Sequence, residues 1–191
     1  MSIVDVASRT SKKTKVIEIK TSNEETYYLS NFYPSKIVFE DVEFSTVEHC
    51  YQWCKFRYGT EDELVDEELD RNVHAEKIRQ APTAKHAYQL GNGKYCQINP
   101  NWEEMKVDLM RELLLIKFDT YPELAGKLIA TKNAAIVEKS YSPFWARGSD
   151  NKGQNMLGIL LMELRDHYIE LLNKGKRTNG PSAANPLSQD K

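Results

Sequence analysis

The sequence predicts a helix-dominated α+β fold, a single domain with a small antiparallel sheet near its N-terminus. Three observations carry that reading. Two short stretches before residue 46 alternate apolar and polar side chains, as half-buried strands do; most of the chain beyond them repeats at helical spacing; and only one later stretch returns to a strand-like pattern.

In chain order, KVIEIKT (15–21) reads as a strand, and KIVFEDVEFS (36–45) as a hairpin turning at Glu40 and Asp41. Ser45 and Glu48 have the spacing of a capping box, which starts a helix that runs to about Tyr58, ahead of Gly59. The acidic stretch EDELVDEELDRNVHAEKIRQ gives a second helix that stops before Ala81 and Pro82, since the residue preceding a proline is pushed out of the helical region. Thr83 can cap a shorter helix ended by Gly91. Pro100 and Asn101 open the longest one, NWEEMKVDLMRELLLIKFDTY, with Trp102, Met105, Leu109, Leu113 and Ile116 on one face, and Pro122 closes it. ELAGKLIATK is a short helix and AAIVEKS a strand. After a polar loop, NMLGILLMELRDHYIELLN forms the last helix, its Leu157, Leu160, Leu161 and Leu164 turned to a core. Residues 1–14 and 175–191 lack periodicity and read as flexible ends around a domain at 15–174.

Composition bounds the function. With 191 residues, 40% hydrophobic and 28% charged, the chain suits one soluble domain rather than a disordered or fibrous one. A net charge of −2 supplies no global field toward polyanions, so any nucleic-acid contact must come from a local patch. Three cysteines, Cys50, Cys54 and Cys96, make an odd set, which argues against a disulfide framework and for a reducing, cytoplasmic setting. The longest apolar run, LLLI at 113–116, is too short to span a bilayer, so no membrane partner is expected.

The stretch EFSTVEHCYQWCKFRY (43–58) poses the chemical question. At about 100° per residue, Val47, Cys50, Tyr51, Cys54 and Tyr58 share one side of the helix, while His49, Trp53 and Phe56 lie opposite. Glu48, Gln52 and Lys55 fall within about 60° of one another in the gap between those apolar surfaces. A carboxylate kept from bulk water has its pKa raised, which suits general acid or base work, and a neighbouring ammonium would tune it back. The plainer alternative leaves Glu48 closing the capping box and Lys55 reaching out to solvent.

A second candidate is the loop SYSPFWARGSDNKGQNMLG (140–158). Gly148 and Gly153 would let backbone approach a ligand, and Arg147 and Lys152 would add charge beside the start of the last helix, a setting suited to phosphate. The same loop also reads as an ordinary solvated connection with Asn155 as helix cap. Phe144 and Trp145, just before it, would make a base-stacking wall. In YYLSNFYPS (27–35), aromatic residues surround Asn31, whose amide could read a base or ribose edge. NPNW places Trp102 at a helix start, where a core position is the commoner fate. His49, Cys50 and Cys54 lack a second ligand pair at zinc spacing, so no metal is expected, and no G-x-S-x-G, Walker A or strand-borne G-x-G-x-x-G motif is present. His74, His86 and His167 read as partly exposed helix residues rather than catalytic ones, and the acidic run 61–70 as a solvated face.

Taken together, LSNFYPS (29–35), STVEHCYQWCKF (45–56), the A-x-x-LG of Ala87 to Gly91, NPNW (99–102) and FWARGSDNKGQNMLGILLMELR (144–165) resemble the YbiA/NADAR family across roughly residues 27–172, in the same order and spacing. The resemblance implies a YbiA-like fold and an N-glycosidase that hydrolyses the bond between ribose C1 and an amino nitrogen, without a cofactor. One branch of the family acts on early riboflavin-pathway aminouracil ribotides, the other on ADP-ribose attached to guanine. By motif match, Glu48 is the key acidic residue and Trp102 the functional tryptophan. Trp145, Gly148, Gly153 and Asn155 match the nucleotide-holding loop, and Asn31 and Phe32 the aromatic wall. Departures occur where Ala146 and Arg147 follow Trp145 in place of glycine and an acidic residue. An Asp common just upstream in the family is absent from SYSPF, which leaves Asp150 as the loop's one carboxylate.

Arg147 favours a diphosphate or nucleic-acid substrate, so removal of ADP-ribose from guanine, free or in DNA or RNA, is the first expectation. Riboflavin-pathway ribotides, or an ADP-ribose-binding module without catalysis, are the alternatives. In the catalytic reading Glu48 activates water or supports the ribose hydroxyls, and Gln52 lies beside it. Lys55 either keeps Glu48 ionised or attacks the opened sugar. Trp102 and Trp145 sandwich the base, while residues 147–155 hold the phosphates.

Overall fold

The computed structural model describes residues 15–57, 66–92, 94, 96–148 and 150–178. The predicted flexible end at 1–14, the tail from 179 onward and the acidic residues up to 65 lie outside the described residues. In chain order the elements are β1 (Val16–Ile19), α1 (Glu24–Tyr27), β2 (Ile37–Phe39), β3 (Val42–Phe44), α2 (Val47–Arg57), α3 (Asp66–Arg79), α4 (Ala84–Leu90), α5 (Trp102–Thr120), α6 (Pro122–Ala130), β4 (Ala135–Glu138) and α7 (Met156–Thr178). The α+β architecture dominated by helices is the one the sequence predicts.

The hairpin of β2 and β3 turns at Glu40 and Asp41, with φ of 48° and 60°. Positive φ at both positions is what a two-residue loop needs to match the strands' twist. Its register, Ile37 with Phe44 and Phe39 with Val42, turns Ile37, Phe39 and Phe44 into the core. The other strand pair has no local signature in the sequence: β1 lies parallel to β4, from Val16 beside Ala135 to Ile19 beside Glu138. Helix α1 is a further addition to the expected elements. Asn23 caps it by accepting from the Glu25 amide at 3.0 Å.

Helix α2 packs against α3, α4 and α5. Every residue from Val47 to Cys54 is buried, and Phe56 with them, so the helix has no solvent face over most of its length. Its predicted cap needs correction. Thr46, not Ser45, does the capping: its hydroxyl accepts from the His49 amide at 3.3 Å. Glu48 is taken out of any capping box, because its own amide donates to the Asn31 carbonyl at 3.1 Å. His49 is held at both ring nitrogens, Nδ1 to the Thr46 hydroxyl at 2.8 Å and Nε2 to the Ala81 carbonyl at 3.1 Å. A carbonyl only accepts, so Nε2 carries the proton and Nδ1 accepts from threonine. Burial lowers the His49 pKa, which fits this neutral form.

Two other expectations shift. Helix α7 continues through Gly175 to Thr178, into the segment predicted to be a flexible tail. His74 is buried, with Nε2 3.0 Å from the Leu90 carbonyl and its ring edge-on to Phe56. Among the described residues, no helix is long and apolar enough to cross a membrane.

One buried charge outside α2 organises the approach to the site. Lys117 of α5 is wholly buried and donates to the carbonyls of Tyr28 at 2.7 Å and Ser30 at 2.9 Å, which fastens the segment leading to Asn31 and Phe32. Burial pushes its pKa down to about 7. Between that value and the ordinary lysine range the folded protein binds fewer protons than the unfolded chain, so this group adds stability as pH rises. The stability advantage of the native protein over K117M therefore widens from about pH 7 to about pH 10, as urea unfolding at the two ends of the range will measure.

Candidate functional site

The elements converge on a cleft of about 540 Å³, within the usual range for small-molecule sites. Its wall includes Asn31 and Phe32 from the segment after α1, Glu48, Tyr51 and Gln52 from α2, and Trp145 from the loop after β4. Five residues singled out in the sequence from three separate segments, Asn31, Phe32, Glu48, Gln52 and Trp145, thus meet at one place.

Glu48 is 6% exposed, and its Oε1 accepts from Gln52 Nε2 at 2.6 Å, one turn along the helix. Burial pushes its pKa up to about 7, against the Gln52 hydrogen bond and the Lys55 charge, which both pull it down. It is therefore a carboxylate poised to exchange a proton near neutrality. Lys55 does not reach out to solvent. Its Nζ donates to the Gly91 carbonyl at 2.9 Å and lies 5.7 Å from the centroids of both Tyr51 and Trp102. Desolvation lowers the Lys55 pKa, opposed first by the charge of Glu48. Lys55 stands behind the residues that line the cleft, as a charge felt by Glu48.

The expected sandwich of a base between two tryptophans is not formed. Trp102 and Trp145 instead flank Tyr51, edge-on at 4.9 Å and 5.6 Å between ring centroids. Trp102 is 5% exposed and packs in the core, while Trp145 lines the cleft. Tyr51 is pressed between them, and burial drives its hydroxyl pKa well up, helped by the Glu48 charge. It remains a neutral hydroxyl. On the outer side Phe32 and the exposed Tyr88 approach to 6.3 Å between centroids, and Tyr141 stands fully exposed at the rim. These rings supply flat apolar surface at the mouth of a polar floor.

Among the described residues of the 147–155 loop, none lines the cleft. Arg147 is exposed, and Asp150 accepts from the Lys152 amide at 3.1 Å within its own turn. Gly148 adopts a φ of +70°, and a Cβ on Gly153 would come within 2.1 Å of the Ala146 carbonyl oxygen. Both glycines thus serve the loop's own folding. Asn155 is buried and takes up β4: its Oδ1 accepts from the Glu138 amide and its Nδ2 donates to the Ile136 carbonyl, each at 2.9 Å. Among the described residues, the cations that line the cleft are Lys20, Lys85 and Lys139, of which Lys20 and Lys139 pair with Glu18 at 2.6 Å and 3.8 Å.

Sequence reasoning missed Glu138, the last residue of β4, whose half-buried side chain lines the same cleft as Glu48. Burial pushes its pKa up to about 7, against a hydrogen bond from the Lys139 backbone, and the Glu48 charge adds to the rise. The signal available was a charged residue ending an apolar strand just before a loop rich in candidate residues. Tyr51 falls on an apolar face of the helix, and nothing in its spacing shows that its hydroxyl borders a cleft.

Two amide oxygens in this wall, Asn31 Oδ1 and Gln52 Oε1, are buried without a hydrogen-bond partner, while Asn31 Nδ2 rests 3.4 Å from the Met110 sulfur. Gln52 is wedged over Gly91, where a Cβ would meet its Oε1 at 1.9 Å and its Cβ at 2.9 Å. Gly91→Ala must therefore displace Gln52 and take from Glu48 the bond that lowers its pKa. The expected result is a Glu48 titration moved above about 7, followed by carbon-13 NMR of the carboxyl, with a stability loss of about 1–3 kcal/mol.

Residues 19–168 match the family model described as the NADAR domain. An N-glycosidase of Nostoc punctiforme is 34% identical over 145 residues, which cover 75% of this chain and 86% of that protein. N-glycosidase YbiA of Escherichia coli K12 is 32% identical over 152 residues, 79% of this chain and 87% of that one. The NMR structure of the E. coli protein YbiA superposes with a TM-score of 0.68 at 28% identity, covering 91% of this chain and 93% of the other. A maize chloroplast protein named for riboflavin biosynthesis, PYRR, is 33% identical over 150 residues, but the match spans only 23% of its length.

Proposed function

The chain belongs to the NADAR domain family, and from that premise we propose that it is an N-glycosidase, a hydrolase that cleaves the bond between ribose C1 and the nitrogen of a base. Its relatives named as N-glycosidases, matched over most of their length, support the reaction class. One structural observation supports the reading most: a carboxylate buried at the wall of an aromatic-rimmed cleft, with a pKa near neutrality and a cation behind it.

Hydrolysis of an N-glycosyl bond passes through a sugar that carries positive charge at C1 and the ring oxygen. Ionised Glu48 faces that charge in a setting of low dielectric, where a fixed anion stabilises it more than water would. It also takes the proton of the water that adds to C1. Gln52 fixes one carboxylate oxygen, which leaves Glu48 a single orientation. Lys55 holds Glu48 ionised from behind the wall; its ammonium is occupied with the Gly91 carbonyl rather than turned to a sugar. Trp145, Phe32 and Tyr88 supply surface for the base at the cleft wall.

Within that class, the substrate we favour is ADP-ribose joined to guanine, as a nucleoside or within DNA or RNA. The support moves from Arg147, which is exposed and does not line the cleft, to Lys85 together with the Glu18-paired Lys20 and Lys139, cations that a diphosphate entering the cleft would meet. The riboflavin-precursor reading has its own observation in the similarity to PYRR. Chromatography of guanosine-linked ADP-ribose and of the aminouracil ribotide, before and after incubation, decides between them by which releases free base. Tight ADP-ribose binding with no release from either would mark a reader without catalysis and overturn the enzymatic proposal.

Glu48→Gln should lower kcat by a factor of about 100 or more while the fold persists. The native rate should fall as pH drops below about 7, and Lys55→Met should move that limb to higher pH, since it removes a charge that lowers the Glu48 pKa. Stability carries the opposite sign. A carboxyl raised in the fold takes up protons that the unfolded chain releases, so its contribution is lost as pH climbs from about 4.5 to about 7. Glu48→Gln should therefore be more stable than the native protein at about pH 8, as thermal unfolding will show.

A further inference from the structure

We infer that Glu138 is the second catalytic carboxylate of this cleft, the general acid that protonates the departing base nitrogen while Glu48 works as the base. The inference rests on the N-glycosidase reading and assigns a role which that reading leaves open.

Geometry carries it. Glu138 comes from a different element than Glu48, yet both side chains line one cleft. Its backbone is fixed on both sides: the amide donates to Asn155 Oδ1 at 2.9 Å, and the carbonyl accepts from the Arg147 amide at 3.0 Å. Parallel pairing with β1 sets it beside Ile19. A side chain mounted on the end of such a braced strand is held better than one on a free loop.

The two environments separate the roles. Burial opposes ionisation of both carboxyls and pushes each up to about 7, but Glu48 has a hydrogen-bond donor, Gln52, and a cation, Lys55, which both favour its ionised form. Glu138 has burial and the negative charge of Glu48 against ionisation, and only the Lys139 backbone in its favour. Other titratable groups around the cleft are Tyr51 from α2, Lys85 and Tyr88 from α4, Lys20 beyond β1, and Lys139 and Tyr141 beyond β4. Of two carboxyls on one cleft, the one whose anion has fewer supporting groups is the better placed to hold a proton. That partner is Glu138.

The step balances. The water oxygen bonds to C1 as the C1–N bond breaks, and the electron pair of that bond stays on the base nitrogen. The proton of Glu138 passes to that nitrogen, and one water proton passes to Glu48. The products are a free sugar hydroxyl and a base N–H. Exchange through solvent then returns the proton from Glu48 to Glu138.

The test compares leaving groups. Guanine and aminouracil conjugates need a proton to depart, whereas a ribosyl-pyridinium conjugate of the same sugar phosphate releases neutral pyridine without one. Glu138→Gln should slow the first two by about 100-fold or more and the pyridinium by less than about tenfold. It should also remove the loss of rate at high pH that an acid catalyst imposes. Glu138→Asp should keep that alkaline limb. Equal slowing of both leaving-group types, or an unchanged alkaline limb in Glu138→Gln, would overturn the assignment while leaving the N-glycosidase reading in place. If Glu138→Gln fails to fold, the native alkaline limb and Glu138→Asp decide: a native rate that stays flat to high pH overturns the role. Failure of the native protein to cleave any conjugate would overturn the reading and the inference together.

Discussion

The rest of the structure depends on one constraint, a helix buried on nearly every side that still carries polar and ionisable side chains. Helix α2 has α3, α4 and α5 against it, so Glu48, His49 and Gln52 are buried and only the cleft lies open beside Glu48 and Gln52. An isolated charge in such a place is prohibitive, and each group is answered locally. His49 stays neutral between Thr46 and Ala81, Gln52 donates to Glu48, and Lys55 gives a hydrogen bond to Gly91. The answer to Glu48 is incomplete: burial outweighs its two helpers, and the carboxyl is left near neutrality. A catalytic acid or base is this kind of group, one whose surroundings leave neither protonation state strongly preferred.

That constraint is partly legible in the sequence. The gap between two apolar faces on one helix shows that Glu48, Gln52 and Lys55 share a buried stripe, because helical periodicity alone fixes which residues are neighbours. It does not show the direction of each side chain. Lys55 points back toward Gly91 and Glu48 toward the cleft, a difference decided by α4 packing across the stripe. Aromatic residues mislead for a similar reason. Trp102 and Trp145 both belong to the site region, but tertiary packing puts Tyr51 where the motifs suggest a base.

The loop after β4 shows where pattern reading fails. Glycines there suggest room for a phosphate, yet Gly153 makes room for the chain's own Ala146 carbonyl and Gly148 for a left-handed turn. Backbone that approaches backbone needs the same residue as backbone that approaches a ligand, so composition cannot tell them apart. Strand pairing is a second blind spot. The hairpin is visible because its turn residues are adjacent, whereas the parallel partners β1 and β4 are more than a hundred residues apart in a chain that gives no local sign of their register.

That long-range pairing is what completes the cleft. Glu48 is mounted on the central helix and Glu138 on the end of a strand that α7 covers and Asn155 fastens, so the relation of the two carboxyls is set by packing between layers rather than by either segment. Asn155 therefore matters to the chemistry without touching the cleft: it holds the amide of Glu138 with one end of its side chain and the Ile136 carbonyl with the other. The segment at Asn31 is tied in the same indirect way, through Lys117 below and the Glu48 amide beside it. A site assembled from three braced elements can hold two carboxyls on one cleft with the charge of one felt by the other, a relation that a mobile loop would not keep fixed.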